Sequence, residues 1–256
     1  MEPYATADQV WAAALIFARV GSILMVLPGI GEAYVSPRIR LSLALVVSIA
    51  LAPVVSGALP GLPATIGGTA GWFIREAVTG LMIGALLRVM ITSLAVAGEI
   101  VSMQITLGFA QTANPMQAQP GTTVAAFLTL LGVTLVFATN THHLFIAGLV
   151  GSYEVVAPAS PLILEDFAYV AARTVADSFT LGVQLAAPVL VFALIFNLSA
   201  GLVARVMPQF QVFFASAPLS VLLGLSVFTL SLGVIGTVFI DRYREVARMF
   251  TGGAGG

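Results

Sequence analysis

The stretch GWFIREAVTGLMIGALLRVMITSLAVA, residues 71–97, decides the fold. It exceeds the roughly 20 apolar residues that carry a helix across a bilayer. It also holds Arg75, Glu76 and Arg88, with Glu99 just beyond its end. A charge inside hydrocarbon is costly unless it is paired or faces protein or water. Such a segment is a membrane helix whose charged side is screened from lipid by other helices or by a water path.

The rest of the chain has the same character. Of 256 residues, 59% are hydrophobic and 8% charged, which leaves too few polar residues to cover a soluble core. Six segments come close to spanning length: 11–27, 41–56, 71–97, 122–151, 179–204 and 212–240. The fold expected is an all-α integral membrane protein of about six hydrophobic helices. The second segment is short, and the Pro and Gly of SGALPGLPATIGG (56–68) end it, so it is expected to cross only in part. The opening residues lack the basic region of a secretory signal and run straight into a hydrophobic helix, which reads as retained rather than cleaved.

Charge placement gives further constraints. Arg88 and Glu99 are separated by about three helical turns, which sets them on one face. With Arg19 in the first segment, they are candidates for buried ion-pair or assembly contacts, the alternative being snorkelling side chains. Asp166, Tyr169, Arg173 and Asp177 recur at three- and four-residue spacing, as on the solvated or interfacial face of an amphipathic helix. With six spans, Arg38, Arg40 and Arg205 fall on one side of the membrane and Arg242, Arg244 and Arg248 on the other. The positive-inside rule cannot satisfy both groups. Either one hydrophobic segment is a re-entrant hairpin, or the protein is not a bundle inserted alone.

Several function classes find no support. All 10 basic residues are Arg, none in a polybasic run, and the net charge is −1, which argues against nucleic acid and anionic lipid as ligands. No cysteine is present, so there is no disulfide, thiolate metal site or redox motif. Nucleophile-elbow, H-E-x-x-H and P-loop patterns are missing, so no catalytic residue, metal or cofactor is expected. The two histidines, His142 and His143, are adjacent and point about 100° apart on a helix. That suits polar packing or an interface better than shared metal ligation; proton sensing is the functional alternative.

One stretch stands out for its polarity: GFAQTANPMQAQPG, residues 108–121. Irregular polar backbone at membrane depth is tolerated only where it is buried in protein or lines a cavity. Pro115 and Pro120 prevent a continuous helix, and Gln111, Asn114, Gln117 and Gln119 can solvate an irregular loop. Phe109 and Met116 add apolar bulk able to seal a constriction. Residue types alone fit equally a pore-lining or pore-closing loop and an ordinary aqueous connector.

The stretch ARVGSILMVLPGIGEAYVSPRIRLSLALVVSIALAP resembles the N-terminal region of the FliR family of type III export-gate proteins, through Arg19, Gly21, Pro28, Gly31, Pro37, Arg40 and Pro53. NLSAGLVARVMPQFQVFFASAPLSVLLGL is similar to the family's C-terminal hairpin, through Asn197, Gly201, Arg205, Pro208, Gln209, Phe213, Pro218 and Gly224. The central GEIVSMQITLGFAQTANPMQ is similar in character and place, so the resemblance covers nearly the whole chain. One departure is PLS at 218–220, where the family often carries Lys after the proline; this weakens any charge contact expected there.

The resemblance implies helices in bent hairpins, with a FliP-like front portion (1–178) and a FliQ-like C-terminal hairpin and tail (179–256). It implies one copy of the chain in a hetero-oligomer with FliP-like and FliQ-like membrane subunits, at the flagellar basal body in the bacterial inner membrane. Unfolded export substrates would pass through that assembly. It makes 108–121 a plug loop, with Phe109, Gln111, Asn114, Pro115, Met116 and Gln117 in channel closure. It sets Arg205, Met207, Pro208 and Gln209 at a hairpin turn by the channel entrance, facing an FlhB-like switch protein; the plain alternative is an ordinary turn, for which Pro208 suffices. The resemblance also implies a non-enzymatic role. Two rivals stand beside this reading. A stand-alone secondary transporter would have its site at Arg88, Glu99 and the broken helix near 108–121, but no internal repeat is visible. A pore-forming homo-oligomer would need one chain to supply every wall of its channel.

Overall fold

A computed structural model describes residues 7–107, 122–158, 164–207 and 212–251. Among them are seven α-helices: α1 (Ala7–Val26), α2 (Pro37–Val55), α3 (Ile66–Gln104), α4 (Thr123–Ala138), α5 (His142–Val155), α6 (Leu164–Val206) and α7 (Val212–Arg248). A 3-10 turn, Ser56–Ala58, follows α2. Helices α1, α2 with its 3-10 turn, α3, α6 and α7 are each long and apolar enough to cross a membrane. The short pair α4–α5 passes the same test only together, and is bent by 76° at the intervening break.

Three differences from the sequence reading have local causes. Helix α3 extends beyond 71–97 at both ends, because Gly67, Gly68 and Gly71 are tolerated in its first turns and no breaker intervenes before Gln104. The helix stops where Thr106 takes a left-handed φ of 60°. The polar stretch 165–178 is the first part of α6, which joins it without a break to the hydrophobic segment expected at 179–204. The segment 122–151 is two helices, interrupted at Thr139–Thr141 with Asn140 at φ 56°. Asparagine reaches that left-handed region more readily than most residues.

The chain divides into two compact units. The first comprises residues 1–90, 139–174 and 243–256. In it, α3 lies directly on α1. A Cβ at Gly80 would strike the Arg19 carbonyl, and one at Gly84 would sit 3.1 Å from the Ile23 carbonyl oxygen. Glycines four apart let helix backbones approach closely, the usual interface in an apolar medium. Helix α2 crosses α1 where Gly21 faces Ala44. The connection between them turns at Gly29 (φ 85°) and is held by Arg40, which donates to the carbonyls of Glu32 and Val35 at 2.8–3.1 Å. Pro37 starts α2, where its missing N–H costs nothing. Trp11 Nε1 donates to the Pro60 carbonyl at 3.0 Å, tying the loop after α2 back to α1.

The second unit comprises residues 91–138 and 175–242. Leu94, Val101, Ile105, Leu128, Leu185, Val189 and Phe239 are buried in its core. Small residues again mark the closest approaches: Gly98 against the Ala125 backbone, Gly182 against Ser93 and Val96, and Gly224 against Ile105. Phe127 and Phe228 meet edge to face with centroids 6.4 Å apart.

Much apolar surface stays outside these cores. Ile39, Leu45, Val46, Ile49 and Val54 of α2 are exposed, as are Leu194, Ile195, Leu198 and Leu202 of α6 and Leu222, Leu230 and Val234 of α7. Contiguous apolar area of this kind requires lipid or other apolar protein around it.

Candidate functional site

The sequence candidates fall in three places. The first is a buried charge cluster in the first unit. Arg19 and Glu76 are both fully inaccessible. Arg19 Nε donates to Glu76 Oε2 at 2.5 Å and Nη2 to Oε1 at 3.1 Å, a bidentate pair. Nη1 donates to the carbonyls of Ser152 at 2.9 Å and Val156 at 3.0 Å. These lie at the C-terminal end of α5, where the Ser152 carbonyl also accepts from the Val156 N–H and the helix dipole favours a cation. The guanidinium also lies 4.1 Å from the centroid of the Tyr153 ring. One arginine thus fixes α1, α3 and the end of α5 together. Spacing had not singled out Glu76 as its partner; the visible sign was GLMIG at 80–84, which brings α3 onto α1 one turn away.

Arg88 has a different setting. It is 44% exposed, pairs with Glu32 at 3.7 Å and reaches the Val26 carbonyl at 3.4 Å. It closes the turn after α1 rather than joining a buried pair.

Glu99 belongs to the second unit. Its Oε1 accepts from the Thr122 backbone N–H at 2.7 Å. Thr122 Oγ1 in turn accepts from the Ala125 N–H at 3.2 Å, which caps the start of α4. Glu99 therefore ties the residue that follows 108–121 to α3, beside the close Gly98–Ala125 contact. The candidates Phe109, Gln111, Asn114, Pro115, Met116 and Gln117 lie outside the described residues, as do Pro208 and Gln209. Arg205 is exposed in the last turn of α6, and Met207 follows it, exposed, with its N–H donating to the Val203 carbonyl at 2.9 Å.

The histidines open α5 with rings 4.3 Å apart. Among the described residues no three His, Cys, Asp or Glu cluster in a way that could hold a metal ion.

Long apolar helices, backbone contacts through glycine and charges spent on holding helices together define a helical membrane protein whose polar groups serve architecture. The profile of the family described as bacterial export proteins, family 1, matches residues 10–246. At 54% identity over 251 residues, 98% of this chain and 100% of the relative, the chain is similar to the flagellar biosynthetic protein FliR of Caulobacter vibrioides. It is 29% identical to FliR of Aquifex aeolicus over 92% of this chain, and 27% identical to FliR of Escherichia coli K12 over 89%. The chain belongs to the FliR family.

Proposed function

We propose that the protein is a core subunit of the flagellar type III protein export gate, helping to form and close the channel by which unfolded substrates cross the inner membrane. The observation that carries this reading is the 54% identity with a flagellar biosynthetic FliR along essentially the whole of both chains. The family description supplies export, and the relatives' name supplies the flagellum.

In this reading the chain works without catalysis and joins FliP-like and FliQ-like membrane subunits at the flagellar basal body. Its division into a FliP-like portion (1–178) and a FliQ-like portion (179–256) is one of kinship. The exposed apolar faces of α2, α6 and α7 support such an assembly, since neighbouring subunits would cover them. The loop 108–121 acts as the plug, with Phe109 and Met116 sealing and Gln111, Asn114 and Gln117 wetting it. The Glu99–Thr122 hydrogen bond supports that role by anchoring the loop's far end. The turn Arg205–Gln209 meets an FlhB-like switch protein.

The test is deletion of the gene in its own bacterium. Loss of swimming and of secreted filament protein, restored by the intact gene in trans, is the expected result. Removal of 110–119 should preserve assembly but let small solutes leak across the membrane. Normal swimming in the deletion strain would overturn the reading; an unchanged permeability barrier would overturn the plug.

A further inference from the structure

The stretch DRYREVARMF (241–250) carries Arg242, Arg244 and Arg248, yet it packs as part of a core. Tyr243, Ala247 and Thr251 are buried, at a spacing of four that forms one seam. Beyond Arg248 the chain continues through successive tight turns, Phe250 N–H to the Ala247 carbonyl and Thr251 N–H to the Arg248 carbonyl. The surface that receives it is α5. Tyr243 meets Phe145 edge to face at 5.9 Å. Gly148 and Gly151 make the floor of the seat. A Cβ on Gly151 would fall 2.5 Å from the Phe250 carbonyl oxygen, so any side chain there excludes the tail. Under the tail, Phe145, Gly148, Leu149, Ala247 and Phe250 help enclose an apolar cavity of only about 10 Å³. Arg244 reaches the break before α5, donating from Nε to Thr141 Oγ1 at 3.1 Å and from Nη2 to the Thr139 carbonyl at 3.2 Å. Those residues flank Asn140, the left-handed residue of the elbow.

We propose that Tyr243–Thr251 is an intramolecular strap, seated in a glycine-floored groove on α5, that holds the Thr139–Thr141 elbow and stays seated while the protein works. Release would expose Tyr243 and Phe145 and leave the elbow carbonyl of Thr139 without Arg244. That favours a permanent strap over a moving latch.

The chain has no cysteine, so a pair can be introduced without background. A Cβ on Gly148 would lie 3.6 Å from Phe250 Cβ, within the range a disulfide requires. The experiment uses Gly148→Cys with Phe250→Cys in the full-length protein in membranes, oxidised with copper-phenanthroline and then labelled with a maleimide-polymer that retards unreacted thiols. The expected result is near-complete protection from the label. Adding Gly151→Leu should slow disulfide formation about tenfold by overfilling the seat. Swimming of cells carrying the oxidised pair should match that of the reduced pair. Failure of the pair to link, at normal protein level, would overturn the docked strap. Linkage that stops swimming until a reductant is added would overturn its permanence. The linkage is read on the protein itself, so its outcome is distinct from that of the export reading.

Discussion

Removing Arg19 isolates a fully buried carboxylate. Arg19→Met leaves Glu76, fully buried, without its bidentate partner, and strips the Val156 carbonyl of its donor. The Ser152 carbonyl keeps one bond, from the Val156 N–H at 3.0 Å. Breaking a buried pair from one side costs about 3–5 kcal/mol, because the surviving charge is uncompensated. Glu76→Leu leaves the guanidinium with two carbonyls and the Tyr153 ring, and its cost should sit near the lower end of that range. If the sites were independent, the double variant would lose about 6–8 kcal/mol. Instead, with both charges gone and an apolar pair of similar size in their place, it should lose only about 1–3 kcal/mol, chiefly the orphaned Val156 carbonyl. The assay is loss of helical signal in mild detergent titrated with dodecyl sulfate, for the four proteins of the cycle. A double variant as unstable as the sum of the singles, or an Arg19→Met protein as stable as wild type, would refute the claim that this pair holds α1, α3 and α5 together.

Other positions give sharper contrasts. Glu99→Ala should remove the acceptor for the Thr122 N–H and raise amide exchange across 122–126 about tenfold, whereas Glu99→Gln should retain most of the protection, since its amide oxygen still accepts. Equal exchange in both variants would remove Glu99 from the anchor. Tyr153→Phe should be neutral or slightly stabilising, because the hydroxyl is buried and has no hydrogen-bond partner among the described residues; Tyr153→Leu should cost about 1–2 kcal/mol by removing the ring from the guanidinium. Gly98→Val should prevent stable folding, since its Cβ meets the Ala125 backbone, while Gly201→Ala and Gly233→Ala, with open space around them, should raise helix stability in detergent by up to about 1 kcal/mol. Thermal melts of the purified variants separate the two groups.

What the sequence made legible was whatever depends on composition and on short spacing. The absence of strands among the described residues, the five long apolar helices and the end of α2 at the Pro- and Gly-rich loop all follow from runs of residues that speak for themselves. The elbow between α4 and α5 was harder to see, because its polar run is only five residues long, TNTHH at 139–143, between apolar stretches; the break itself needs only one left-handed Asn. Pairings across the chain were not legible. Arg19 finds Glu76 at a separation of 57 residues, and nothing local singles out Glu76 among the chain's carboxylates as its partner. The face shared by Arg88 and Glu99 suggested a common purpose, yet each caps its own neighbourhood: Arg88 the turn after α1, Glu99 the start of α4.

The most direct measurement is the native mass and subunit composition of the tagged protein, extracted in mild detergent from its own cells. The export-gate reading predicts one copy of this chain with several copies of two smaller helical membrane proteins. A chain that runs alone, or only with copies of itself while the genes of its flagellar neighbours are expressed, would contradict it.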